Sequence, residues 1–275
     1  MGTPRKPNFR MRQLAHTLRR LREQVGLNQD EVADRLRFSK AKISRIEQGQ
    51  LPQYLELLAL LDLYGVLTTD YAEYVKLFDR ASERGWWHAY GLDDRGFVSI
   101  EAEASVVRSY QLGHVPGLLQ TEEYMREAFA GARAPLVGGR LESEVAVRLR
   151  RQNRLANEPP LRLHSIMDEA VLRRPMCTTG QLQHILSAVA RPNVTVQVIP
   201  RDHGAHDGLD SSFIVVGFAG REEPDLAYLE YGFGSVQIEK DKEVRAANLL
   251  FDHLADLALD EQDSVALIER VIAEI

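Results

Sequence analysis

Two imidazoles and two carboxylates fall within eight residues at His203, His206, Asp207 and Asp210. Donors of these types hold zinc or another first-row metal when three or more converge. The stretch follows an extended run, is glycine-rich and lacks the H-E-x-x-H register that sets two histidines on one helix face. It is expected to be a polar loop, with no metal. Cys177 is the one cysteine of the chain, which rules out an internal disulfide and a cysteine-rich zinc site. Beside Met176 it is expected to be a small packed residue rather than a nucleophile. Asp168 and Glu169 open a helix after a strand, within reach of Arg173 or Arg174. Capping suits them better than acid–base catalysis, because no nucleophile stands beside them in the sequence. Gly232-Phe233-Gly234 is too short to cradle a phosphate and reads as a tight hairpin turn. With no G-x-S-x-G elbow, no G-x-x-x-x-G-K-[ST] and no strand leading into G-x-G-x-x-G, the chain is expected not to be an enzyme and to use no cofactor.

A different chemistry is concentrated at the other end. The first fifty residues hold twelve Lys and Arg against five acids, a net +7, while the whole 275-residue chain carries −6. The remainder therefore carries −13. A basic head attracts a polyanion by releasing its counterions, and an acidic body repels one. The length fits two domains at ~100–200 residues each. With 44% hydrophobic and 27% charged residues the chain is ordinary globular material rather than disordered. No window approaches the ~18 apolar residues of a membrane span. The basic start MGTPRKPNFRMRQ lacks the apolar core of a signal peptide, and Lys6 stands where a myristoylation signal needs Ser or Thr. A cytoplasmic protein is expected, on the nucleoid when bound to DNA.

The elements that must position those cations are helices. Leu14, Leu18, Leu21 and Val25 recur every three or four residues and predict a helix ending near Gly26. Asn28 can cap a second, NQDEVADRL, with Asp30 and Glu31 favoured in its first turn by the helix dipole. Ser39 can cap a third, KAKISRIEQ, closed by Gly49. Leu51-Pro52 breaks the chain before a fourth, LELLALLDLYG, and a fifth is expected from Asp70 to about Arg84. Two short helices joined by a few residues and buttressed by others make a helix-turn-helix. Ala33 is small where the two would cross, and Val32, Leu36, Ile43 and Ile46 fill the angle between them. Lys40, Ala41, Ser44 and Arg45 are left outward on the third helix.

The run LNQDEVADRL…SKAKISRIEQG, with Gln29, Ala33, Ile43, Ile46, Glu47 and Gly49 in place, resembles the lambda-repressor/Cro (Xre-type) DNA-binding family over about fifty residues. The resemblance implies a recognition helix at 40–48 in the major groove of double-stranded DNA. It implies base reading by Lys40, Ala41 and Arg45, and phosphate contact by Gln29. An arginine can bond both O6 and N7 of guanine, and an alanine methyl can meet the thymine methyl. Lys42 and Ser44 are expected to hold the DNA backbone. Arg22 and Glu47 match a pair that joins helices one and three in the family, so they are read as a structural ion pair. One departure stands in the turn, where many members have glycine and this chain has Arg37-Phe38. A non-glycine residue at positive φ costs roughly 1 kcal/mol, so a differently built turn is expected. The rival use of the same cations is a basic helix docking an acidic partner.

Past the fifth helix, Trp86 and Trp87 are the two tryptophans of the chain. They suit an anchor of one domain on another or, second, a platform for a ligand. FVSIEAEASVVRSYQ fits strand or helix. Pro116-Gly117 signals a turn, and Thr121 can cap EEYMREAFAG. LESEVAVRLRRQNRLAN predicts a long helix, Leu161–Met167 a strand, DEAVLRR a short helix and QLQHILSAVAR another. NVTVQVIP is the clearest strand, with Val194, Val196 and Val198 on one face and Thr195 and Gln197 on the other. SFIVVGF, LAYLEY and GSVQIE predict three more strands, followed by two closing helices. The expected architecture is an all-α helix-turn-helix domain of five helices over 1–84. An α+β domain over 85–275 follows, with one main sheet flanked by helices.

The order W-W-x-x-Y, EAEAS, VPGLLQT, DEAVLRR, VTVQVIP behind such a head resembles the actinobacterial WhiJ-like, Scr-type antitoxin-like regulators, whose C-terminal half is a domain of unknown function. The resemblance covers essentially the whole chain and implies a transcription regulator, often encoded beside a small partner protein. Three functions follow: a regulator whose body dimerises and receives a signal, an antitoxin-like holder of a small protein, and a one-component sensor of a small molecule. A homodimer on an inverted-repeat operator is expected from symmetry. The apolar face Val265, Ile268, Val271 and Ile272 serves either as its interface or as internal core.

Overall fold

In the computed structural model, which describes residues 8–91, 96–219 and 224–275, contacts divide the chain into two units, Met1–Ser99 and Ile100–Ile275. Arg5 and Lys6 of the basic head lie outside the described residues.

The first unit is helical. Asn8 caps α1 (Phe9–Gln24), its side chain accepting from the Met11 N–H. Asn28 opens α2 (Gln29–Leu36) through a reciprocal box. Its side chain accepts from the Glu31 N–H at 3.0 Å, and the Glu31 carboxylate accepts from the Asn28 N–H at 2.7 Å. Ser39 caps α3 (Lys40–Glu47). After Pro52 come α4 (Tyr54–Leu63) and α5 (Tyr71–Ser82), then a 3-10 turn over Trp86–Tyr90. Leu14, Leu18 and Leu21 of α1, Val32 and Ala33 of α2, Ile43 and Ile46 of α3 and Leu57, Leu60 and Leu61 of α4 share one core. The angle between α2 and α3 is filled as the apolar spacing predicts. The turn between them is not built differently after all. Arg37 adopts the left-handed conformation, φ 55°, that glycine would take freely, and is the sole non-glycine residue at positive φ among the described residues. Its N–H and that of Phe38 reach the carbonyls of Asp34 and Ala33, closing α2 as a left-handed cap does.

The second unit is α+β. The short α6 (Phe97–Glu101), which spans the boundary between the units, leads into β1 (Ala104–Gln111), so the ambiguous FVSIEAEASVVRSYQ is a helix and then a strand. There follow α7 (Glu122–Ala130), α8 (Gly138–Gln152), β2 (Arg162–Asp168), α9 (Glu169–Leu172), α10 (Thr179–Val189) and β3 (Val194–Ile199). Next come β4 (Phe213–Phe218), β5 (Leu226–Tyr231), β6 (Gly234–Ile238), α11 (Asp241–Leu257) and α12 (Glu261–Glu274). The six strands form one mixed sheet in the order β3-β2-β1-β4-β5-β6. β1, β2 and β3 are parallel, and helices supply the crossovers that parallel strands require. β4, β5 and β6 continue antiparallel, with Gly232-Phe233 as a two-residue turn between Tyr231 and Gly234.

On the face carrying Tyr110, Ile166 and Ile199, the sheet packs against Phe251 and Leu254 of α11. Val194, Val196 and Val198 are buried, as their alternation predicts. Gln197 is answered rather than solvated. Its amide donates to the carbonyls of Ala255 and Leu259 at 3.3 and 2.9 Å, near the end of α11 where carbonyls lack helical partners. Ile268 and Val271 of α12 are buried, and the helix lies against β3 and α10. Those two residues are internal core, while Val265 and Ile272 of the same face are half-buried.

Candidate nucleic-acid interface

Three side chains lock α3 in place. Arg22 of α1 donates through Nε and Nη2 to the Glu47 carboxylate at 2.6 and 3.0 Å, and through Nη1 to the Leu27 carbonyl at 2.7 Å. Gln29, at the start of α2, donates from Nε2 to Glu47 Oε2 at 2.8 Å. One carboxylate thus joins the three helices that a helix-turn-helix must hold at fixed angles. Both partners of the ion pair are recessed, with side chains 10% and 5% exposed. The hydrogen bond to Glu47 holds the Arg22 pKa above its ordinary value, against the pull of burial.

With Ile43 and Ile46 buried, α3 turns Lys40, Ala41 and Arg45 outward. Lys40 meets Asp30 at 2.8 Å, but both side chains are more than half exposed, so water screens most of that attraction. Lys42 is half-buried, pairs with Glu56 and lies over the Phe38 ring at 4.7 Å. Ser44 accepts from Gln48 Nε2 at 2.9 Å. Arg45 is exposed and has no ion pair among the described residues. The outward residues Ala41, Arg45 and Gln48 sit at i, i+4 and i+7, one stripe of the helix. Gln48 belongs with the candidates for base contact, since an amide can pair with adenine. That spacing is visible in the sequence, where Gln48 reads only as the end of the helix. Gln29 is half-buried with its amide committed to Glu47, which no local spacing discloses.

Trp87 is buried and Trp86 half-buried; their rings meet edge to face at 5.8 Å, and Trp86 meets Tyr90 at 6.0 Å. Gly85 must be small, because a Cβ there would stand 2.1 Å from the Trp87 ring.

In the second unit His206 packs edge-on against Tyr110 and His203, at 6.4 and 5.8 Å between ring centres, while Asp207–Asp210 form a 3-10 turn. Among the described residues no group of three or more His, Cys, Asp or Glu is placed to hold a metal ion. Cys177 is buried, which pushes its thiol pKa up to about 12. Asp168 caps α9, accepting from the Ala170 N–H at 2.8 Å, and Glu169 pairs with Arg173.

A polar clamp that the sequence does not disclose surrounds the VPGLLQT segment. Gln120 donates to the Val115 carbonyl at 2.7 Å, and Gln152 to the Gln120 carbonyl at 2.6 Å. Gln181 accepts from the Thr121 N–H at 2.7 Å and donates to the Leu119 carbonyl at 2.6 Å. Each closes a backbone group that burial would otherwise leave unpaired.

The family model described as a domain of unknown function (DUF5753) matches residues 94–270, and one described as a helix-turn-helix domain matches residues 13–73. No curated protein and no solved structure matches the chain.

Proposed function

We propose that this chain, which belongs to the DUF5753 family and carries a helix-turn-helix domain ahead of it, is a sequence-selective DNA-binding transcription regulator. The observation that carries this function is the lock on α3, with Glu47 tying α1 and α2 to a helix whose outward stripe holds Ala41, Arg45 and Gln48. Lys40, Ala41 and Arg45 read base edges in the major groove. Lys42 and Ser44 hold phosphates, Lys42 exchanging Glu56 for the DNA backbone, and Gln29 reaches a phosphate through the second N–H of the amide that holds Glu47.

Two copies, as a homodimer, set two such helices about 34 Å apart on an inverted repeat. Ile268 and Val271 of α12 are taken up by the core of the protomer and are not the contacts of that dimer. The C-terminal domain receives the signal, from a ligand or from a small protein encoded nearby, and the chain is a binder rather than a catalyst. The VPGLLQT phrase and its flanking motifs support assignment to the WhiJ-like, Scr-type antitoxin-like regulators. The place of action is the cytoplasm, on the nucleoid. Among the described residues no helix is long and apolar enough to cross a membrane.

Arg45→Ala is expected to lower discrimination at one base pair of each half-site by ~1–3 kcal/mol. Lys42→Ala is expected to weaken all sequences alike and to make the salt slope shallower by about one. Titrations of the full chain against operator and point-mutated operators separate the two. An equal loss on every sequence for Arg45→Ala rules out its base-reading role.

A further inference from the structure

In the C-terminal unit Arg108, Arg126, Arg151 and Arg173 each meet a carboxylate, at Asp252, Glu142, Glu101 and Glu169. Arg148 meets none at ion-pair distance among the described residues. It projects from α8, one turn before Arg151, into the clamp around VPGLLQT, and it is half-buried. Its Nη1 donates to Gln120 Oε1 at 2.6 Å, and its guanidinium lies over the Phe129 ring at 4.3 Å. The other edge of the fork, Nε and Nη2, has no protein acceptor among the described residues.

Among the described residues no carboxylate closes on Arg148 as a direct ion pair; Glu230 and Glu144 favour its charge only from beyond that distance. Arg151 is saturated by a two-pronged bond to the buried Glu101, at 2.6 and 2.8 Å. Burial and the neighbouring Arg151 hold the pKa of Arg148 itself below the ordinary arginine value, despite Glu230 and Glu144. A recessed charge that no carboxylate contacts directly is costly and is kept where something else supplies the contact. Arg148 and Arg151, one turn apart on α8, also stand out in the acidic part of the chain, which carries −13 beyond residue 50.

The geometry points to Arg148 as the anion-binding group of a small-molecule site on the C-terminal domain, taking the carboxylate of a small organic acid on its open Nε–Nη2 edge. Two parallel N–H donors in one plane match the two oxygens of a carboxylate. The Gln120 bond and the Phe129 ring fix that plane. A recessed, single fork suits a compact acid better than a chain. This site does not depend on the DNA-binding function.

The test is equilibrium dialysis of the full-length protein against labelled acetate, succinate and citrate, at constant ionic strength set with chloride, with thermal unfolding in parallel. At least one acid is expected to bind saturably and, at about ten times its Kd, to raise the midpoint by ~3–6 °C. Arg148→Gln is expected to abolish binding without lowering the midpoint of the unliganded protein, since it removes a poorly compensated charge. Arg148→Lys keeps the charge and a donor for Gln120, so it guards against misfolding; loss of the fork is expected to weaken binding about tenfold at an unchanged midpoint. Saturable binding by none of the three acids overturns the site. So does wild-type affinity in either variant, or a response to a glutamate-rich peptide with none to the acids.

Discussion

Glu47→Gln tests the lock on α3 most sharply, because it keeps the shape of the side chain and removes its charge. Glu47 accepts three hydrogen bonds, two from Arg22 at 2.6 and 3.0 Å and one from Gln29 at 2.8 Å. The ion pair is recessed, so water does not take over when it is broken. Breaking a buried pair by removing one partner costs ~3–5 kcal/mol, and the oxygen that glutamine retains sets the expectation near the lower end, ~3 kcal/mol. Hydrogen exchange on the full chain reads this locally. An opening made ~3 kcal/mol easier speeds exchange of the α3 amides roughly 100-fold, with amides of the C-terminal sheet unchanged. Replacing both partners, as Arg22→Met with Glu47→Leu, is expected to cost less than Glu47→Gln alone, because no charge is then stranded. A change within ~0.5 kcal/mol for Glu47→Gln, the range of an ordinary surface substitution, refutes the reasoning. So does a double substitution whose cost is the sum of two large single costs.

Arg37→Gly is expected to stabilise the chain by up to ~1 kcal/mol, since it relieves a left-handed arginine at some cost in unfolded-state entropy; a loss of stability in urea unfolding shows that the arginine side chain holds the turn. Cys177 is expected to resist iodoacetamide at pH 8 in the native protein and to react at once in urea, because burial pushes its thiol pKa up to about 12. Rapid native labelling contradicts its placement. The Glu169 carboxyl is held below the usual carboxylate range: burial raises its pKa, but the Arg201 N–H at 3.0 Å and Arg173 outweigh it. With the folded pKa depressed, its contribution is complete above the unfolded value of about 4.3 and is lost as pH falls through the folded value. Glu169→Gln is expected to lower stability at pH 7 and to flatten the acid limb of the stability curve. An acid limb as steep as that of the wild type contradicts this.

The head was the legible part of the chain. Asn28 with Glu31, and Ser39 before KAKISRIE, are local signals read within four residues, and the α2–α3 core follows from helical spacing alone. Arg37 shows the limit of that logic. Composition argues against a left-handed arginine, yet the packing of Val32 and Ala33 against Ile43 and Ile46 imposes the turn on whatever residue stands there. In the body the strands were legible one by one, but their order was not. β1 pairs with β4 about a hundred residues later, Tyr110 opposite Phe213, and no local pattern encodes that partner. FVSIEAEASVVRSYQ was ambiguous because a five-residue helix and a strand share one window, so neither period dominates. The interface residues divide in the same way. Arg45 and Ala41 follow from helical spacing, while the link from Gln29 to Glu47 and the open edge of Arg148 depend on contacts between distant segments.

DNA binding by the purified full-length protein, selected against a genomic fragment library at ~150 mM salt, tests the central claim most directly, because non-specific phosphate contacts are already weak there. Enrichment of a palindromic motif with half-sites about one helical turn apart is the result predicted, lost with Arg45→Ala at a defined base pair. Fragments recovered without any shared motif, or none recovered by either the full chain or the separated helix-turn-helix domain, contradict it.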